Sequence, residues 1–192
     1  KLMSEAKIDA SEDQLEKLAT LVILLCKWNN ALNLTAIRDP NDMVVLHILD
    51  SAVLSPLIKD KGNNIADVGT GAGFPGIPLK IAFPNLKVTL ADSLNKRVLF
   101  LQEVIDALKL EDIEAIHGRA ENLARDKKYR EQYDLSVSRA VANLSTLSEY
   151  CLPFVKIGGQ FISYKSGEIE EEVVSSKSAV FLLGGKIKDT VK

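Results

Sequence analysis

Asp67-Val68-Gly69-Thr70-Gly71-Ala72-Gly73-Phe74-Pro75-Gly76 is the stretch on which the fold turns. The short run Ile65 to Gly69 reads as a buried strand, and Pro75 to Phe83 reads as the helix after it. Glycines in such a turn let the backbone approach a ligand closely, and the start of the next helix favours negative charge. Pro75 stands in the first turn, where its missing N–H would have had no partner. Gly71-x-Gly73-x-x-Gly76 formally matches a dinucleotide-binding fingerprint, and Asp92 lies about 20 residues on, where that fingerprint places an acid. On its own the spacing specifies a ligand-cradling turn and not the ligand.

Outward from this loop the chain alternates strand and helix. Leu86 to Ala91 is the next strand, succeeded by a helix from Asn95 to Leu108. Ile113 to His117, Leu135 to Ser138 and Gln160 to Tyr164 are further strands, with helical stretches between them. This βαβα order predicts an α/β fold, a doubly wound, Rossmann-like parallel sheet with right-handed crossovers. Residues 1–61 read as an N-terminal helical extension and residues 62–192 as the core, within one compact domain. The change of texture falls at Lys59-Asp60-Lys61-Gly62. In the extension, Ser11 and Gln14 form a capping box, and Leu15, Leu18, Val22 and Leu25 recur at helical spacing. A second helix opens with Asp39 as N-cap and Pro40 at the first helical position. Its expected apolar face is Met43, Leu46, Leu49, Val53 and Leu57.

Composition removes several classes. The 192 residues suffice for one domain with a sizeable core. Apolar residues make up 46% and charged residues 26%, which excludes a disordered chain. With 24 Lys and Arg against 26 Asp and Glu, the net charge of −2 excludes a uniformly basic nucleic-acid coat. The longest apolar run, Leu21 to Cys26, is too short to span a bilayer, and Lys1 to Lys17 shows no secretory leader. A cytoplasmic protein without membrane attachment is expected. Cys26 and Cys151 lie in apolar surroundings without metal spacing and read as structural thiols.

An acid closing the first strand, then Gly-x-Gly-x-Gly, resembles motif I of the class I S-adenosylmethionine-dependent methyltransferases. That resemblance implies that Gly71 and Gly73 belong to a loop wrapping the methionine and ribose of the cofactor. It implies too that Asp92, at the end of the second strand, accepts hydrogen bonds from the ribose hydroxyls. Chemistry then narrows the acceptor. Exocyclic amines of adenine or cytosine are typically methylated beside an Asn/Asp-Pro-Pro-aromatic loop, whereas this chain has Arg139-Ala140-Val141-Ala142-Asn143. Carbon 5 of a pyrimidine needs a cysteine nucleophile, usually in Pro-Cys; Cys151 precedes Leu152-Pro153 in an apolar helical stretch. An acceptor that already carries a free lone pair remains, and guanine N7 is one. It needs alignment and charge management rather than a general base.

Further motifs occur in order: Lys27-Trp28-Asn29, Asn33-Leu34-Thr35, Arg38-Asp39-Pro40 and His47-Ile48-Leu49-Asp50-Ser51. After the glycine loop and Ile77-Pro78-Leu79 come Asp92-Ser93-Leu94-Asn95-Lys96-Arg97-Val98, Phe100-Leu101 and Ser138-Arg139-Ala140. Together, over about residues 11 to 165, they resemble the bacterial 16S ribosomal RNA guanine-N7 methyltransferases, the glucose-inhibited division protein B family. The resemblance implies methylation of guanine 527 in the 530 loop, with 16S RNA or the 30S subunit as partner and a monomeric enzyme. It places cofactor contacts on Gly69, Phe74, Ala120, Glu121 and Arg139. Arg139, leaving the fourth strand at the methyl-transfer point, serves either cofactor or RNA phosphate in this reading. Lys165 resembles the family's lysine after the fifth strand, although Lys165-Ser166-Gly167 departs from the usual Lys-Gly. A small-molecule methyltransferase on the same fold, or a ribosome-assembly module that binds the cofactor without turnover, are the alternatives.

Other features have plainer readings. His47, Asp50 and Ser51 share a helix face, but hydrolase triads are assembled from separate elements. A polar patch packing the extension against the glycine loop, or touching RNA, is expected instead. His117 has no clustered ligands, so no metal is expected. Arg125, Lys127, Lys128 and Arg130, with Tyr129 among them, form either an RNA phosphate contact or a solvated loop. Trp28 reads as core, and Glu168 to Glu172 as an exposed helix start. Through residue 65 the chain carries 7 cations and 9 anions, and the remainder is balanced, which fits recognition of one structured RNA site. A sixth strand is expected at Gly184-Gly185-Lys186-Ile187; with no seventh after it, the C-terminal strand of the class is expected to be missing and a sheet edge to be exposed.

Overall fold

The computed structural model describes residues 10–53, 58, 62–139 and 142–191. Leu57, the Lys59–Lys61 boundary, the segment before residue 10 and Ala140-Val141 lie outside the described residues.

Helix α1 (Glu12–Leu32) begins as the sequence predicts: the Ser11 side chain accepts from the Gln14 N–H, and the Gln14 side chain accepts from the Ser11 N–H at 2.9 Å. The Gln14 amide also donates to the carbonyls of Ile81 and Ala82, at 2.8 and 3.1 Å, tying the start of α1 to the core. Leu18, Leu21, Val22 and Leu25 are buried. Helix α2 (Pro40–Met43), capped by Asp39, widens into a π-helical segment (Val44–Leu49) and returns to α geometry in α3 (Asp50–Ala52).

That widened turn corrects the expected apolar face. An ideal 3.6-residue period aligns Met43 with Leu46, Leu49 and Val53, but a π turn holds more residues and rotates the side chains beyond it. The buried set is Met43, His47, Ile48, Ser51 and Ala52, while Leu46 and Val53 are 52% and 66% exposed.

The sheet has five strands: β1 (Asn64–Val68), β2 (Lys87–Asp92), β3 (Ile113–His117), β4 (Tyr133–Ser138) and β5 (Val155–Ser163). Between them run α4 (Gly76–Ala82), α5 (Asn95–Ala107), α6 (Ala120–Leu123) and α7 (Leu144–Cys151), and α8 (Glu170–Leu182) comes last. All strand pairs are parallel, in the order β3-β2-β1-β4-β5. Period-two alternation divides β1 between two cores. Ile65 joins the cluster under α1, α4 and α5, with Leu21, Leu25, Ile77, Leu90 and Phe100; Ala66 and Val68 face Tyr133, Cys151 and Phe154. Because α1 residues sit in the same cluster as the strands, extension and sheet share one apolar core. Trp28 packs on Phe100 with ring centroids 5.9 Å apart, and Cys151 is fully buried, so both are core residues.

The expected sixth strand is absent among the described residues. Residues 184–191 form no strand, because Gly184 and Gly185 end α8 instead. Gly184 adopts φ 79°, and the Gly185 N–H bonds back to Val180 O at 2.9 Å, a helix-terminating turn that a left-handed glycine makes easy. Strand β5 therefore lies at an edge of the described sheet, with Ile157 98% exposed.

Candidate active site

The glycine loop is strung between two buried carboxylates. Asp67, near the end of β1, accepts from the Thr70 hydroxyl at 2.7 Å and from the Gly76 N–H at 2.8 Å, all through Oδ2. Asp92, ending β2, accepts from the Gly71 N–H and the Leu94 N–H at 2.9 and 2.8 Å, and pairs with Arg97 at 3.3 Å. The N–H groups of Gly69 and Thr70 both reach Ala91 O, which ties the loop to β2. Burial pushes the Asp67 carboxyl up to about 6, against the opposing pull of the Thr70 and Gly76 donors, and its Oδ1 has no partner among the described residues.

Two glycines of this loop do different work. Gly73 (φ 91°) packs so tightly that a Cβ there would overlap the Ile77 side chain and approach Leu101. Gly71 (φ 62°) faces open space, where a Cβ would meet nothing within 4 Å. One glycine closes the loop onto the core; the other leaves a backbone surface free for a ligand.

Opposite the loop stands a polar cluster from the π-helical segment. His47 stacks on Phe74, with ring centroids 4.6 Å apart and planes 16° from parallel. Arg139, just after β4, donates to the Leu46 carbonyl at 3.0 Å, to Asp50 at 2.9 Å and to His47 Nδ1 at 2.9 Å, and lies 5.2 Å over the Phe74 ring. A guanidinium only donates, so Nδ1 must be unprotonated and Nε2–H faces the Thr35 hydroxyl, 2.9 Å away. Burial first, and then the Arg139 charge, push His47 down to about 4. The imidazole is therefore neutral near pH 7, with both nitrogens engaged. Ser51 donates to the His47 carbonyl rather than its ring, so no hydrolase triad forms; the cluster fastens the extension to the glycine loop.

Between these walls lies a cleft of about 260 Å³, lined by Leu34, Thr35, His47, Gly69, Thr70, Gly71, Ala72, Phe74, Arg97 and Arg139. Gly69, Gly71, Phe74 and Arg139, all expected from sequence, meet here, with Gly73 and Asp92 behind the loop. Ala120 and Glu121 begin α6 beyond β3; the Gly118 N–H just before them bonds to Asp92 O, but neither residue lines the cleft. Lys165 is committed elsewhere: its Nζ donates to the Ala142 carbonyl and to Glu172, both at 2.6 Å. The Lys165 ammonium holds the Glu172 carboxyl below its usual range, and Glu172 also accepts from the Leu144 N–H.

The basic run Arg125 to Arg130 lies at the other end of the sheet. Lys128 pairs with Glu114 near the start of β3, Arg130 with Glu131, and the Glu131 N–H reaches Pro153 O. A parallel sheet opens its ligand cleft at the strands' carboxyl ends, so this placement separates the run from the cleft. No cluster of three or more metal-ligating side chains occurs among the described residues. Nor is any helix there long and apolar enough to cross a membrane.

Sequence reasoning does not reach Thr35, Leu34 and Arg97 as site residues. Arg97 has a signal, lying five residues beyond the acid Asp92 on the first turn of α5. Leu34 and Thr35 have one in the motif Asn33-Leu34-Thr35, but only the α1–α2 connection places them at the cleft.

The sequence profile of GidB, rRNA small subunit methyltransferase G, matches residues 14–192. The chain belongs to this family. A ribosomal RNA small subunit methyltransferase G from Acetivibrio thermocellus is 52% identical over 185 residues, 96% of this chain and 76% of that one. Its counterpart from a Thermoanaerobacter species is 56% identical over 168 residues, covering 86% and 70% of the two chains. Among solved structures, an S-adenosylmethionine-dependent methyltransferase from Aquifex aeolicus aligns with a TM-score of 0.54 at 19% identity. That alignment covers 76% of this chain and 83% of the other, a likeness of fold. Methyltransferase G family membership thus agrees with the sheet order, the glycine loop and the acid ending β2.

Proposed function

We propose that this chain methylates N7 of guanine 527 in the 530 loop of 16S ribosomal RNA, using S-adenosylmethionine. It acts as a monomer in the cytoplasm, on the RNA alone or within the 30S subunit. The observation that carries the acceptor is the state of His47. It is the one lining residue with an ordinary pKa suited to general-base work, and both its nitrogens are taken. Guanine N7 bears a lone pair and no hydrogen, so the protein has no proton to remove.

The residues present fit the cofactor. S-adenosylmethionine supplies an electrophilic methyl group on a positively charged sulfur. The open backbone at Gly69 and Gly71 offers an approach that a Cβ would fill. Among the described residues Asp92 Oδ1 accepts only from Leu94 N–H, which leaves a lone pair for a ribose hydroxyl. Gly73 and Phe74 hold the loop's shape, Ala120 and Glu121 are assigned to the adenine end, and Arg139 stands at the transfer end. Pairing with Asp50 neutralises Arg139, so the cleft does not repel a cationic methyl donor.

Labelled S-adenosylmethionine with 30S particles lacking the modification tests the reading directly. Label at guanine 527 is expected; label on another base or none overturns it. Arg139→Ala is expected to fold and to lose at least about 100-fold in methyl transfer, as removal of a transition-state contact does. Unchanged turnover would refute its role.

A further inference from the structure

We infer that Arg38 and Lys96 form the surface that receives backbone phosphates of the ribosomal RNA; this rests on the methyltransferase reading above. A base presented to the cleft brings its neighbouring phosphates with it, so the receiving cations belong beside the cleft at the carboxyl ends of the strands. Three cations there are already neutralised: Arg97 by Asp92, Arg139 by Asp50 and Lys165 by Glu172. Arg38 and Lys96 are exposed and have no carboxylate partner among the described residues.

Both are tethered to one short segment by neutral acceptors. Arg38 Nη2 donates to Asn33 Oδ1 at 3.2 Å, and Lys96 Nζ donates to the Leu32 carbonyl at 3.3 Å. The next residues, Leu34 and Thr35, line the cleft, so two positive groups stand together on its rim. Asp39, beside Arg38 in sequence, turns its Oδ1 instead onto the N–H groups of Asn41 and Asp42. Among the described residues Arg119, after β3, also has no ion pair, and no hydrogen bond ties its side chain to the rim.

The bond from Lys96 to the Leu32 carbonyl at the end of α1 leaves its charge without an anionic partner. The first turn of α5 contains Lys96 and Arg97 and no acid, although the helix dipole favours anions there. Asp92 accounts for Arg97, whereas Lys96 meets only the neutral Leu32 carbonyl at the end of α1 and no carboxylate among the described residues. A cation at a helix start with no anionic neighbour remains available to an anion from outside. RNA phosphate is the occupant that fits, because it is anionic, repeats along the strand and accompanies the base into the cleft.

The run Arg125 to Arg130, at the opposite end of the sheet, supplies the control. Methylation of 30S particles is measured for the unaltered chain, Arg38→Ala/Lys96→Ala and Arg125→Ala/Lys127→Ala, across a salt series. For the rim variant we expect the KM for RNA to rise about tenfold or more. The slope of log(kcat/KM) against log salt should fall by about 1.4–1.8, the change for two lost phosphate contacts. The KM for S-adenosylmethionine and the circular dichroism should stay unchanged, and the loop variant should behave like the unaltered chain. Arg38→Lys/Lys96→Arg, which keeps both charges, should restore most of the loss. An unchanged RNA KM and salt slope in the rim variant, loss confined to the loop variant, or no rescue by the charge-keeping pair each overturns the inference. If the unaltered chain methylates no ribosomal RNA, the underlying reading fails instead, and that is seen before any variant is made.

Discussion

His47 stacks on Phe74 and Asp67 holds the glycine loop through Thr70 and Gly76, and burial shifts the two in opposite senses. The His47 pKa falls to about 4 from 6.5, so the unfolded chain binds the extra proton between these values and stability drops as pH falls through that window. The Asp67 pKa rises to about 6 from 3.8, so the folded chain binds the proton first and stability grows as pH falls from about 6 toward 3.8. Each shift corresponds to roughly 3 kcal/mol, so the two largely cancel between pH 6 and 4. His47→Asn is therefore expected to gain stability relative to the unaltered chain on acidification, and Asp67→Asn to lose it. Urea unfolding at pH 7 and pH 4.5 checks both signs. The glycines separate in the same way. Gly73→Ala should cost about 2 kcal/mol or more through overlap with Ile77, whereas Gly71→Ala should cost about 1 kcal/mol and abolish cofactor binding by calorimetry.

At the scale of elements, Gln14 joins two helices. Its side chain completes the α1 cap and also holds the carbonyls of Ile81 and Ala82. Gln14→Ala should lower stability by about 1–2 kcal/mol, more than an isolated cap, and hydrogen exchange should quicken at both the start of α1 and the end of α4. The same scale shows what sequence can and cannot declare. Strands β1 to β4, α5 and both N-caps are legible because their signals are local: apolar runs, a helical period, a capping residue. The face of the π-helical segment is not, since its period departs from 3.6 where His47 and Ser51 turn inward. The end of α8 departs from expectation because Gly184-Gly185 can end a helix as readily as it can precede a strand. The glycine loop and Asp92 are legible by spacing, and His47 and Asp50 as a polar patch against that loop, but the bonds that build the cleft's other wall are not: Arg139 meets Leu46, His47 and Asp50 across about ninety residues. Only the sheet order brings those segments together.

For the whole molecule, the shared core predicts that the extension unfolds together with the sheet. Leu21, Leu25 and Phe100 lie in one cluster with Ile65 and Leu135. Trp28, the single tryptophan, reports on α1 through its contact with Phe100, while circular dichroism reports on every helix and strand. The two probes are expected to give coincident urea transitions; an earlier fluorescence transition would show that α1 detaches independently. Leu25→Ala should shift both curves together by about 2–5 kcal/mol.

The strand order β3-β2-β1-β4-β5 also bears on how the chain is made. The pairing of β1 with β2 closes about twenty residues after β1, but its other neighbour pairs Ile65 with Leu135, seventy positions later. At roughly 5–20 residues per second of synthesis, the strand destined for the middle of the sheet waits about 4–14 s with one side bare. During that interval the nascent chain presents an apolar strand edge that can pair with the wrong partner. The strands that pair late, β4 and β5, are thus the ones that make the earlier strands safe from aggregation.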